Sequence, residues 1–249
     1  LRLMLQVEHD LAPDRDRVLD LVRKAGIDLV VFSNRAALAR DLLDADPTGF
    51  AALARDLGQD AGNLRLVLDG LRVNGAAIPR ALCALAEQFD VMGVRYGSLE
   101  DATGEAREHH SMIGAGLCIA PRSRKAAAAA RAVSDPVVGS IADLIARLRT
   151  RTLAAEDLAG LDALVSDGAP MSMADFALYL DETGLMPLER AWALISDYPA
   201  RLLRLTDRGR LDHGCQADLT IVNARTRQVV ATICGGRLAY LSGEAGVRF

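Results

Sequence analysis

Long apolar runs, clustered basic charge and paired cysteines are all missing from this chain, and each absence excludes a class of protein. No window approaches the ~20 consecutive apolar residues that a membrane-crossing helix needs, so no membrane partner is expected. Basic residues are scattered through a sequence of net charge -4. A nucleic-acid partner is therefore not expected either, because it would need a continuous cationic face to neutralise phosphates. The one local cluster, Arg147, Arg149 and Arg151, reads as a solvated helix end. Cys83, Cys118, Cys215 and Cys234 lie far apart with no C-x-x-C spacing, which argues against a disulfide framework or a cysteine zinc site and predicts reduced, mostly buried thiols. Histidine is equally sparse: the chain holds four, with no H-x-H and no H-E-x-x-H. The first ten residues lack the basic n-region and small-residue cleavage site of a signal peptide, which points to a cytoplasmic protein. The opening Leu1, where a start methionine would stand, points to sequence missing upstream.

What is present is enough for a sizeable core. With 249 residues, 51% hydrophobic and 25% charged, the chain reads as one soluble domain or most of one. Arg2 to Glu8 alternates like a strand. Asp14 to Ala25 has helical spacing, and Gly26 stops it. Ile27 to Phe32 is a continuous apolar run of the buried-strand type. A long helical region from Arg35 to Phe89 is broken at Asp46-Pro47, Gly58 and Asn74-Gly75. Beyond it, strands are predicted at Val91 to Tyr96, Met112 to Ile119 and Leu161 to Val165. Helices are predicted at Asp101 to His109, Arg122 to Val133, Ile141 to Arg149, Met171 to Thr183 and Pro187 to Ile195, with Pro199 opening a further turn. Strand alternating with helix is the pattern of a parallel α/β fold. From Asp218 to Leu241 the helical period gives way to strands, with Gly235-Gly236 as a hairpin turn.

The stretch from Asp207 to Val222, with Gly209, Gly214 and the Ala217-Asp218-Leu219 triplet, resembles the closing signature of the amidohydrolase superfamily. That resemblance implies an α/β fold built as a TIM-type (β/α)8 barrel, with C-terminal strands belonging to a small β-sandwich. About five barrel strands are legible where eight are needed, so an incomplete barrel is expected over residues 1–205 and a β-sandwich segment over 206–249. A barrel lacking its first strands would expose parallel edges. Oligomerisation, a partner chain completing the barrel, a covering helix from the Arg35 to Phe89 region or poor solubility is expected in consequence.

Within that superfamily the chain is similar, over essentially its whole length, to the phosphonate-metabolism diphosphatases. Leu5-Gln6-Val7-Glu8, Glu100-Asp101-Ala102-Thr103, Ile119-Ala120-Pro121, Leu164-Val165-Ser166-Asp167 with Pro170, and Tyr198-Pro199-Ala200-Arg201 match that family's segments in order. The resemblance implies metal-dependent hydrolysis of ribose 1-methylphosphonate 5-triphosphate, a small phosphorylated sugar, with release of diphosphate. Divalent metal, zinc or similar, would generate the nucleophile. Carried over position by position, Glu8 and Asp167 are the metal-ligand candidates, and Asp167 and Asp101 the catalytic ones. Met4, Asn34 and Leu99 stand where the family has histidine, so metal binding is expected to be weak or absent. Those three residues are expected to fill the space a metal would occupy. The stretch from Asp135 to Ser140, followed by a helix, replaces a glycine-rich phosphate loop, and Arg122 is a candidate for meeting phosphate oxygens.

Each remaining candidate has a plainer reading. Glu8 and Asp167 are equally readable as carboxylates that cap neighbouring loops. Strand alternation places His9 opposite Glu8, His109-His110 reads as a helix end complementing the dipole, and His213 sits in the tail turn. Ser166-Asp167 and Ser33-Asn34 have no evident histidine base, and Gly114-Ala115-Gly116 is too short for a dinucleotide fingerprint. Two functions stay open: a hydrolase with a degraded metal site, and a catalytically inactive paralogue acting as a binding or assembly module.

Overall fold

The computed structural model describes residues 2–71 and 76–243, and the expected break at Asn74-Gly75 lies outside them. The chain forms two compact units, 1–137 and 138–249.

In the first unit, strands β1 (Met4–Glu8), β2 (Leu29–Ser33), β3 (Arg95–Leu99) and β4 (Cys118–Ile119) run parallel in that order. Helix α1 (Arg15–Ala25) links β1 to β2. Four helices link β2 to β3: α2 (Arg35–Ala45), α3 (Pro47–Asp56), α4 (Ala61–Leu71) and α5 (Ile78–Met92). Helix α6 (Gly104–Met112) follows β3, and α7 (Arg124–Ala132) follows β4. Val7, Val30 and Phe32 from the strands pack against Val22 of α1 and Leu82, Leu85 and Phe89 of α5, forming the main core. Phe50, Leu64 and Leu68 make a satellite core where α2, α3 and α4 meet.

The second unit carries β5 (Val137–Ser140) from its second residue onward, then α8 (Ile141–Arg149), α9 (Ala155–Ala159), β6 (Ala163–Val165), α10 (Met173–Glu182), α11 (Leu188–Ala193) and α12 (Asp197–Leu202). Strands β5 and β6 pair in parallel. The unit ends in an antiparallel sheet of β7 (Leu219–Val222), β8 (Val229–Cys234) and β9 (Arg237–Leu241). The α/β alternation and the C-terminal change to antiparallel strands therefore appear as the sequence predicts.

Local chemistry explains where the element boundaries move. Val91 and Met92 belong to the last turn of α5. Gly93, at φ 68°, ends that helix in the left-handed region, and Val94 N returns a 2.9 Å bond to Phe89 O. This is a glycine-terminated helix end of the common kind, and it pushes β3 to Arg95–Leu99. The strand expected from Met112 shrinks to Cys118–Ile119, because Met112 closes α6 and Gly114 turns the chain at φ 84°. Val137–Ser140, in the stretch that replaces the glycine-rich phosphate loop, is strand β5, the fifth of the six strands that alternate with helices. No helix of the described residues is long and apolar enough to cross a membrane.

Candidate active site

Glu8 closes β1, and both of its carboxylate oxygens are engaged. Gln6 Nε2 donates to Oε1 at 3.0 Å, and the backbone N–H of Arg35 donates to Oε2 at 3.0 Å. Asn34 caps α2 at its own first turn, accepting from Ala37 N at 3.1 Å. Glu8 thus reaches across from β1 to satisfy a first-turn amide of α2, where a negative charge also meets the positive end of the helix dipole. The Arg35 guanidinium lies between two carboxylates, with Nε 3.9 Å from Glu8 and 4.0 Å from Glu100. Glu100 follows β3 at φ 62°, a strained conformation for a residue with a side chain.

The chain then turns where strand alternation predicts it continuing. His9–Leu11 form a 3-10 turn, so His9 is not held on the face opposite Glu8 but swings toward α6. Its Nε2 lies 3.0 Å from Nε2 of His110. His110 is not at a helix end either: α6 runs on to Met112, and the ring is buried, stacked on Phe32 at a centroid distance of 6.4 Å. His110 Nδ1 donates to Asp101 Oδ1 at 2.9 Å. The other oxygen of Asp101 accepts from the Ser98 hydroxyl, and Ser98 in turn accepts from Arg107 Nη1 at 2.5 Å.

Arg107 is completely buried and has a partner for each of its nitrogens. It donates to Leu117 O at 3.0 Å, to Ser111 Oγ at 2.9 Å and to Asp135 Oδ2 at 2.9 Å. Paired and hydrogen-bonded in this way, a buried guanidinium is tolerable; alone it would be very costly.

These surroundings set the charge states. Burial works to raise the Asp101 carboxyl, but the bonds and charges of His110, Ser98 and Arg107 outweigh it and hold Asp101 below the usual carboxylate range. His9 is pushed down to about 4, first by burial and then by the neighbouring His110, with Asp101 opposing. At neutral pH, Asp101 is therefore an anion and His9 a neutral ring. Burial, followed by the charge of Asp101, pushes the Cys118 thiol up to about 12.

The His9, His110 and Asp101 chain lies in the wall of a cavity of about 570 Å³, which is also lined by Asn34, Arg35, Leu99, Glu100 and Arg122. A volume of that size suits a small molecule. The expectation that Met4, Asn34 and Leu99 fill the metal position is corrected here. Met4 opens β1 and is 49% exposed, Asn34 caps a helix, and Leu99 borders open space. Arg122 also borders the cavity, and its backbone N–H donates to Asp101 O at 2.9 Å.

Asp167 belongs to the second unit. It follows β6 at φ 47°, and its Oδ2 accepts from Ser140 Oγ at 3.1 Å. Among the described residues, no group of three or more His, Cys, Asp and Glu side chains is placed to hold a metal ion. Of the four cysteines, Cys118 is buried, Cys83 and Cys234 are exposed and Cys215 is intermediate, which corrects the expectation of mostly buried thiols.

The missed residues are His9 and His110. For His110 the signal was the spacing of Arg107, His110 and Ser111: i, i+3 and i+4 on a helix put three polar side chains on one face, and that face points inward.

The profile of the amidohydrolase family matches residues 90–239, well over half of the sequence, and the chain belongs to that family. Among solved structures it is similar to the crystal structure of an uncharacterized protein, at 13% identity and a TM-score of 0.52, over 66% of this chain and 50% of that one. That likeness is one of fold, and the chain spans half the length of the protein it matches. No curated protein matches the sequence.

Proposed function

We propose that the chain works as a small-molecule hydrolase of the amidohydrolase family, with proton transfer running through His9, His110 and Asp101. In this reading the metal-assisted diphosphatase chemistry its sequence resembles is degraded. The observation that carries the proposal is the unbroken contact from a buried carboxylate, through two imidazoles, to the wall of a cavity. Asp101 fixes the His110 tautomer by accepting from Nδ1, so Nε2 of His110 is the acceptor that faces His9. A water in the cavity gives a proton to His9 Nδ1 as its oxygen bonds to the electrophilic centre of the substrate. His9 Nε2–H passes a proton on to His110 Nε2, and the resulting imidazolium is stabilised by the Asp101 anion. The proton then returns by the same path to the leaving group as its bond breaks. Asp101 is a positioning residue here, not one that touches substrate, and such a carboxylate, imidazole and reactant order has ample precedent in hydrolysis.

A second reading, a binding module without turnover, is favoured by the lack of a three-donor group among the described residues. One experiment separates the two. Purified chain is assayed with a panel of small esters and amides, and with ribose 1-methylphosphonate 5-triphosphate, alongside Asp101→Asn. The proposal expects turnover of an ester or amide that falls on the order of 100-fold in the variant, without diphosphate release. Diphosphate release from the triphosphate would restore the diphosphatase reading. A folded chain that turns over none of these compounds would support the binding module.

A further inference from the structure

The charges around the cavity limit what it can accept. Two arginines, Arg35 and Arg122, face three carboxylates, Asp41, Glu100 and Asp101. Arg35 already lies between Glu8 and Glu100, and Asp101 is committed to His110 and Ser98. A triphosphate brings about four negative charges and would meet no net positive field. Each unneutralised like-charge pair is repelled in water and more strongly beside a protein wall. The rest of the wall is largely hydrocarbon, supplied by Leu38 of α2, Ile78 and Leu82 of α5, Leu99 of β3, and Ala106 and Ile113 at α6. Apolar surface on that scale is productive only when apolar surface of a ligand covers it.

We infer that the cavity takes a ligand with an apolar body and no more than one negative charge, its body against Leu38, Ile78 and Leu82 and its polar end toward His9 and Arg35. This rests on the cavity being the substrate site and names the substrate class for it. An ester or amide of an aromatic or branched aliphatic acid fits both the wall and the proton relay, whereas a phosphorylated sugar satisfies neither the hydrocarbon nor the charge count.

The test is a binding measurement that needs no turnover. The purified chain is titrated with 1-anilinonaphthalene-8-sulfonate, an aromatic monoanion whose emission rises in apolar surroundings, and the bound dye is challenged with 3-phenylpropionamide and with tripolyphosphate. One saturable site is expected, from which phenylpropionamide displaces the dye and tripolyphosphate at the same concentration does not. Ala106→Trp, which puts bulk into the cavity from an intermediate position on α6, should weaken the dye at least tenfold while the far-ultraviolet dichroism stays unchanged. Displacement by tripolyphosphate, failure of phenylpropionamide to compete, or dye binding indifferent to Ala106→Trp in a folded chain would each overturn the inference. Failure of the hydrolase reading looks different: the dye would bind and compete as expected while no ester or amide turns over.

Discussion

The Nε2 atoms of His9 and His110 stand 3.0 Å apart across 101 residues of sequence. The contact exists because a 3-10 turn at the end of β1 directs one ring inward while α6 holds the other against Phe32 and Asp101. Two imidazoles this close cannot both carry a proton charge at low cost, so the pair favours holding one added proton at a time.

Acid should therefore destabilise the first unit in two stages. His9 is depressed from 6.5 to about 4, so the unfolded chain binds the extra proton first and stability is lost as pH falls from about 6.5 toward 4. Asp101 is also depressed, so its contribution is present above its unfolded value of 3.8 and disappears below that value. After discounting for partial exposure of the His9 ring, the first stage is on the order of 2 kcal/mol. Thermal melts from pH 7.5 to 4.5 should show a falling Tm, and His9→Gln should flatten that slope. An equal slope in the variant would assign the loss to other groups.

Arg107→Met should be among the most damaging single changes. It leaves Ser111 without its donor and Asp135 with the Ser111 hydroxyl but without its buried cation, and it uncouples Ser98 from the guanidinium. Removing one partner from a buried ion pair costs ~3–5 kcal/mol. Urea denaturation would read the loss as a shift in midpoint, and a shift worth less than ~1 kcal/mol would mean that water replaces the arginine.

Gly97 is required by a close approach between β3 and Leu117, the residue before β4. A Cβ at that position would lie 2.6 Å from both Leu117 Cβ and Leu117 O, distances that force backbone to move. Gly97→Ala should cost ~1–3 kcal/mol by overpacking. The same substitution at Gly70, where added bulk meets nothing within 4 Å, should gain a few tenths of a kcal/mol from helix propensity. Paired denaturation curves check the contrast.

Thiol labelling separates the cysteines. Cys83 and Cys234 are exposed and should react with a disulfide reagent in the folded chain, whereas Cys118, buried and pushed up to about 12, should react only after unfolding. Mass spectrometry of partly labelled protein identifies the sites, and early labelling of Cys118 would show that β4 opens readily.

The fold was legible in the sequence where pattern and punctuation agree. Pro47 and Gly26 mark real boundaries, and the apolar run from Ile27 to Phe32 contains most of β2. The boundary at Gly93 was misplaced because Val91 and Met92 suit a strand as well as a final helical turn; only the glycine's left-handed conformation decides between them. Strand β5 was hidden because four residues after a proline carry too little period to read. The site was less legible. Glu8 and Asp101 were singled out through the family resemblance, Glu8 at a strand end and Asp101 at the start of a predicted helix. His9 was dismissed on strand alternation, which ceases to apply one residue beyond the strand. His110 was dismissed as a helix end that lies two residues further on.

The most direct test of the account is a histidine titration followed by nitrogen-15 nuclear magnetic resonance of the uniformly labelled chain, with each ring assigned by substitution. The account predicts that His9 stays neutral down to about pH 4 in the native chain, and that His110→Ala, which removes both the neighbouring ring and part of the burial, returns it toward 6.5. A native His9 that titrates near 6.5, unmoved by His110→Ala, would contradict the buried contact on which the proton path depends.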